Sequence, residues 1–287
     1  MKERIGPFTR YDKKPNDIRY GSLYTLNVTL PVPYCQKRTI RVYLPDGYSE
    51  ENRYPVMYMT DGQNIVDKYT TAYGAWDIDV REHQLIKEGY PPFIVVGIDC
   101  PRVGHVYRVR EYTLQDVPIM DKHVGPHKGK EPYSDILMDY VVNIVKPMID
   151  HYFYTLPQRE FTAFGGSSMG GLAAFNYGTK CKETFGFALC FSPAFFLFDK
   201  KKLYDYVDSL NINPYEYGKF YFYSGDVEFE HQFIKGTTDM YHYFLKHGYD
   251  ESNVHLEIDK TQKHCEAAWN KHFKGAIRFW LKEYKNK

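Results

Sequence analysis

The sequence predicts an α/β fold, a mostly parallel central sheet with antiparallel N-terminal strands and helices on both faces. Three observations carry this expectation. Continuous apolar runs of strand length, among them Tyr54–Thr60, Pro91–Asp99 and Phe185–Phe191, recur along the chain as buried parallel strands do. Amphipathic stretches of helical period lie between them, so that strands and helices alternate. The first two strand candidates instead alternate apolar and polar residues, which suits an antiparallel pair at the start of the sheet.

In order along the chain, residues 1–20 are polar and interrupted by proline, and read as a peripheral arm. Tyr24–Leu30 and Arg38–Leu44 are the alternating strands, with Pro31–Lys37 as their turn. Tyr54–Thr60 is a buried strand that ends in Asp61-Gly62-Gln63-Asn64, a loop at a strand's carboxyl end, where open α/β sheets build their sites. A helix is expected from Trp76 to Lys87, then the strand Pro91–Asp99. The stretch from Cys100 to Pro132 is basic and without clear period, and holds His105, His123, His127, Arg102, Arg108, Arg110 and Glu111. A segment of this length reads as a functional loop or flap. Ser134–Tyr152 has helical period, and Glu160–Phe164 leads as a strand into a glycine-rich turn. Helix formers follow at Leu172–Tyr177, with Gly178 as a stop. Phe185–Phe191 and Lys219–Ser224 are strands, and Lys200-Lys-Lys202 is read as a solvated face. His231–His247 is helical, Asn253–Asp259 is the last strand, and Trp269, Phe273, Ala276, Ile277, Trp280 and Leu281 fall on one face of a closing helix. No repeat or linker interrupts the 287 residues, which are expected to form one domain.

Composition excludes several classes of function. With 37 basic and 36 acidic residues the net charge is +1, which provides no field to gather nucleic acid or an anionic membrane. The N-terminus lacks a signal-peptide core, and there is no apolar run of membrane-spanning length. Five cysteines without a Cys-x-x-Cys pair suggest neither a zinc site nor a disulfide framework. A soluble cytoplasmic protein without cofactor or metal is expected. The 28 tyrosines and 19 phenylalanines suit aromatic clefts or an aromatic-rich core.

The chemistry is concentrated at Gly166-Ser167-Ser168-Met169-Gly170, a Gly-x-Ser-x-Gly pentapeptide placed between a strand and a helix. A serine on so tight a turn requires neighbours without side chains, because strand and helix backbones crowd there. The glycines do not have the spacing of a dinucleotide loop or a P-loop. A serine hydroxyl needs a base, and the base needs a group to hold its tautomer. Later strand ends offer Asp226 and Glu228 as the acid and His264 as the base, in the order Ser, acid, His of the α/β-hydrolase arrangement. His255 and His272 fall within a strand and a helix, and read as structural or surface residues.

The segments Tyr54–Asn64, Val95–Asp99, Arg110-Glu-Tyr-Thr113, Gly165–Leu172, Gly225-Asp-Val-Glu228 and His264 with Trp269 resemble, in order, the putative-esterase family of α/β-hydrolases. That group includes enterochelin-type siderophore esterases, feruloyl and acetyl-xylan esterases, S-formylglutathione hydrolase and mycolyl transferases. The resemblance implies Ser168 as nucleophile, His264 as base and Glu228 as acid, with Asp226 as the alternative. It implies an oxyanion hole from the backbone N–H groups of Met169 and Gln63, and places Asp61, Trp76, Arg110 and Glu111 as candidate substrate contacts. The expected activity is metal-independent hydrolysis of a carboxylic ester through an acyl-enzyme. The small-molecule substrate is a siderophore ester, an acylated sugar or a small acyl ester. An acyltransferase and a non-catalytic binding module are the alternatives.

Overall fold

The computed structural model describes residues 3–11, 18–34, 36–66, 74–101, 105–124 and 131–287. Among the described residues ten strands form one sheet in the order β1-β2-β3-β4-β6-β5-β7-β8-β9-β10. They are β1 (Arg4–Ile5), β2 (Phe8–Arg10), β3 (Ser22–Thr29), β4 (Lys37–Leu44), β5 (Val56–Thr60), β6 (Ile94–Ile98), β7 (Thr162–Ser167), β8 (Phe187–Phe191), β9 (Lys219–Gly225) and β10 (Val254–Asp259). From β6 to β10 across the sheet all pairings are parallel, and from β1 to β6 they are antiparallel.

The expected architecture is present, and the reason is visible in the side chains. Successive residues of β5 point to opposite faces, so Val56 and Tyr58 join one core layer and Met57 and Met59 the other. Burial on both faces is what the continuous apolar runs required. One layer is closed by α1 (Ile78–Lys87) and α9 (Glu266–Leu281) through Ile78, Leu85, Trp269, Phe273 and Trp280. The opposite layer is closed by α4 (Ser134–Tyr140), α5 (Lys146–Tyr152), α6 (Met169–Lys180), α7 (Lys200–Ser209) and α8 (His231–Lys246). A π turn, Val141–Val145, joins α4 to α5, so the predicted helix Ser134–Tyr152 runs through with one widened turn.

Three expectations are corrected. The N-terminal arm is partly sheet: β1 and β2 extend its edge, and Phe8 is fully buried with its ring edge-on to Phe153. The Cys100–Pro132 stretch is not irregular throughout, since it contains α2 (His105–Tyr112) and the single turn α3 (Asp121–Val124). Arg102, His127 and the side chain of His105 lie outside the described residues. Gly178 does not stop α6, which continues to Lys180. It lies where that helix touches the sheet, and a Cβ there would come 2.7 Å from Ala188 Cβ and 2.9 Å from the Phe220 ring. Close packing, not termination, is what requires glycine.

Strand order positions the site. The chain passes from β5 to β6 on one side and then to β7 on the other, so β5 and β7 flank a topological switch point. Open α/β sheets form their crevice at the carboxyl ends of strands beside such a point. Asp61 follows β5 and Ser168 follows β7.

Candidate active site

Ser168 occupies φ 61°, ψ −123°, a conformation costly for any residue with a Cβ, between the last residue of β7 and the first of α6. Its surroundings hold it there. Its N–H donates to Phe191 O at 2.8 Å, which ties the turn to β8. A Cβ on Gly166 would lie 2.3 Å from Thr60 Oγ1 and 2.6 Å from Gly170 O, and one on Gly170 would lie 2.2 Å from Thr60 Oγ1. The glycines therefore admit the end of β5 as well as relieving the turn, a demand the pentapeptide does not display. Met169 is the first residue of α6, where a backbone N–H has no acceptor within the helix.

The loop after β5 is braced from two sides. Asp61, in the left-handed region at φ 52°, accepts from Arg108 Nε at 2.8 Å and Nη2 at 2.7 Å, a bidentate pair. The same Nη2 reaches Ser167 O at 3.4 Å, so Arg108 bridges the loop and the serine turn. The carboxamide of Gln63 is clamped to Cys100, with Oε1 accepting from the Cys100 N–H at 3.1 Å and Nε2 donating to Sγ at 3.2 Å. Burial pushes the Cys100 thiol well above its usual range, which favours the neutral thiol.

His264 follows β10 and is held by Glu230, not by Glu228. Its Nδ1 contacts Glu230 Oε2, and because a carboxylate only accepts, Nδ1 donates and Nε2 is the ring nitrogen turned away from the acid. Glu230 is fully buried, and its other oxygen accepts from the Ser192 hydroxyl, the Ser224 hydroxyl and the Gly225 N–H. Trp269 Nε1 donates to Ser192 Oγ at 2.9 Å, extending the network to the core. Phe233 stacks on the imidazole at 4.3 Å between centroids, with Phe229 and Trp269 edge-on to it.

Both acids expected from the sequence are committed elsewhere. The Glu228 side chain is 66% exposed and meets Lys263 Nζ at 2.5 Å. Asp226 meets His231 Nδ1 at 2.6 Å. Gly225 ends the strand, Glu228 opens a 3-10 turn with its side chain exposed, and the chain is buried again only at Glu230, the residue that leads into α8. Of the expected substrate contacts, Asp61 lines the cavity described below. Trp76 does not, being buried against Phe191, Trp269 and Phe273. Arg110 lies over the Tyr34 and Tyr133 rings and donates to Glu131 O, and Glu111 is buried in an ion pair with Arg38. These two side chains brace the α2 region. His255 stacks on Tyr221, and His272 donates to Glu257, both away from the cavity.

A cavity of about 640 Å³ brings the parts together: Ser168, Met169, Gln63 and His264 all line it. One portion of its wall is apolar, from Ile119, Phe196, Leu197, Phe229 and Phe233, and another is polar, from Asp61, Asn64, Arg108 and Glu266. The sequence reading did not single out Asn64 or Glu266. His123, read as a solvated loop residue, also lines the cavity, edge-on to Phe196. Among the described residues no cluster of His, Cys, Asp and Glu could hold a metal ion, and no helix is long and apolar enough to cross a membrane.

Residues 34–276 match the protein family described as "Putative esterase". The chain belongs to that family. This esterase also shares its fold with solved structures of low identity. The BES protein of Bacillus cereus is 17% identical with a TM-score of 0.69, the match covering 95% of this chain and 98% of that one. A siderophore hydrolase, EstA, of Aspergillus nidulans is 15% identical with a TM-score of 0.66, over 91% of this chain and 94% of that one. The enterochelin esterase of Shigella flexneri is 14% identical with a TM-score of 0.67, over 91% of this chain but 59% of its own length. The fold is thus the α/β-hydrolase type, and the chain is an esterase with small-molecule ester substrates.

Proposed function

We propose that the esterase is a serine hydrolase of carboxylic esters in which Ser168, His264 and Glu230 act as nucleophile, base and orienting acid. The observation that carries this is the imidazole of His264, fixed by a buried carboxylate through Nδ1 and lining the same cavity as a serine in a strained strand-to-helix turn. His264 Nε2 removes the Ser168 hydroxyl proton as Oγ attacks the ester carbonyl. The tetrahedral oxyanion is met by the backbone N–H groups of Met169 and Gln63, each such donor worth roughly 10²–10³ in turnover. Collapse expels the alcohol, which takes the proton from His264, and leaves an acyl-Ser168. Water then attacks the acyl group with His264 again as base, and the acid product and free serine result.

The cavity's divided wall supports an ester that joins an apolar acyl or aryl portion to a polar one. Siderophore esters and acylated sugars are esters of this kind, and the smallest acyl esters fit the same chemistry without using the whole space. Hydrolysis of p-nitrophenyl acetate is the direct test. Ser168→Ala is expected to lower kcat by at least roughly 10³-fold and to abolish labelling by a fluorophosphonate. Undiminished turnover in that variant would remove Ser168 from the mechanism.

A further inference from the structure

Glu266 is a buried carboxyl on the cavity wall that the proposed reaction does not use. It stands two residues after His264 as the first residue of α9, is 7% exposed, and accepts from Asn64 Nδ2 at 2.7 Å through Oε1. The other carboxylate on this wall, Asp61, has both oxygens bound by Arg108. No cationic side chain among the described residues bonds to Glu266. Among the described residues the cavity therefore carries one acid paired with a cation and one that meets only neutral donors, the Asn64 amide and its own backbone N–H, with an oxygen that has no side-chain partner. A buried carboxyl left open in this way prefers a hydrogen-bond donor or a cation and disfavours a second anion.

Resting on the ester-hydrolase reading above, we propose that Glu266 determines specificity: it binds a hydroxyl or ammonium group on the polar part of the ester and repels a carboxylate there. Burial pushes its carboxyl up to about 7, opposed first by a hydrogen bond from its own backbone N–H, with Asp61 pushing up and Arg108 and Asn64 pulling down. It therefore ionises between pH 6 and 8. Among the described residues the other titratable groups on the cavity are Asp61, Cys100, Arg108, His123 and His264.

The experiment measures kcat/KM for three acetyl esters, acetylcholine, glycerol monoacetate and acetoxyacetate, at pH 6 and pH 8. Ratios between esters cancel the common acyl chemistry and every pH effect the three esters share. In the wild-type protein the ratio of acetylcholine to acetoxyacetate is expected to be at least about tenfold higher at pH 8 than at pH 6, the size of effect a nearby unit charge produces in a partly screened site. In Glu266→Gln the pH 8 ratio is expected to fall about tenfold and to lose its pH dependence, while glycerol monoacetate shifts least. A ratio that is flat from pH 6 to 8 in the wild type, or unchanged in Glu266→Gln, would overturn the proposal, and the wild-type arm decides it even if the variant fails to fold. Equal loss on all three esters would show that Glu266 only fastens α9 to Asn64. No turnover of p-nitrophenyl acetate by the wild type would overturn the hydrolase reading itself, and this inference with it.

Discussion

Replacing Glu230 by glutamine tests the orienting acid with almost no change of shape. Glu230 Oε1 accepts from the Gly225 N–H at 2.9 Å, a donor that cannot rotate, and from two serine hydroxyls that can. The glutamine oxygen is therefore expected to stay with Gly225, which turns the NH₂ toward His264 Nδ1. An amide donor there requires Nδ1 to accept, so the ring proton moves to Nε2, the atom that should receive the Ser168 proton. The same error of tautomer in a serine protease triad lowers kcat by about 10⁴, and we expect a loss of roughly 10³–10⁴-fold on p-nitrophenyl acetate. Because glutamine keeps the volume and removes a buried charge, the melting temperature should stay within a few degrees. Glu228→Gln is the matched control. Its side chain pairs with Lys263 at the surface, and kcat should change by less than about threefold. The reasoning is refuted if Glu228→Gln suffers the large loss and Glu230→Gln does not.

Two other predictions concern the scaffold. Gly170→Ala places a methyl group 2.2 Å from Thr60 Oγ1 and 3.2 Å from Asp61 Oδ2, so β5 and the serine turn must separate. Activity is expected to fall by at least 100-fold with a lower melting temperature, and a crystal structure of the variant with an unmoved Thr60 would contradict this. Glu82 is fully buried, accepting from Tyr43 OH at 2.7 Å and the Phe93 N–H at 2.8 Å, and burial pushes its carboxyl up to about 8. Its unfolded value is about 4.3. The folded protein thus binds the proton more tightly, and the contribution of Glu82 to stability is fully present below about pH 4.3 and is lost as pH rises to about 8. Glu82→Gln should therefore gain stability relative to the wild type between pH 5 and pH 8, by on the order of a few kcal/mol in urea melts. A difference that does not vary with pH would show that Glu82 does not titrate in this window.

The sheet was legible because burial on both faces leaves a linear trace. Continuous apolar runs became β5, β6 and β8, and alternation became β3 and β4. Helix α9 was equally plain from its apolar face. The segment from Cys100 to Pro132 was opaque because α2 is held by the ion pair of Glu111 with Arg38 of β4 and by ring contacts to Tyr34 and Tyr133, and such contacts have no period. Gly178 misled because the same residue type serves both helix ends and close helix–sheet contacts.

Local spacing and residue type were enough to specify the layered α/β fold, the serine turn, and the histidine beyond the last strand. The acid expected there, Glu228, lies two residues before the carboxylate that contacts His264. A signal for Glu230 was nevertheless present: it lies in phase with Phe233, Thr237, Met240 and Phe244 on the buried face of the helix that follows, whereas Glu228 does not. Which carboxylate turns inward to meet His264 was set by contacts between residues far apart in the chain. Direction at a strand end depends on the turn that follows and on the hydroxyls waiting inside, Ser192 and Ser224, which come from two different strand ends.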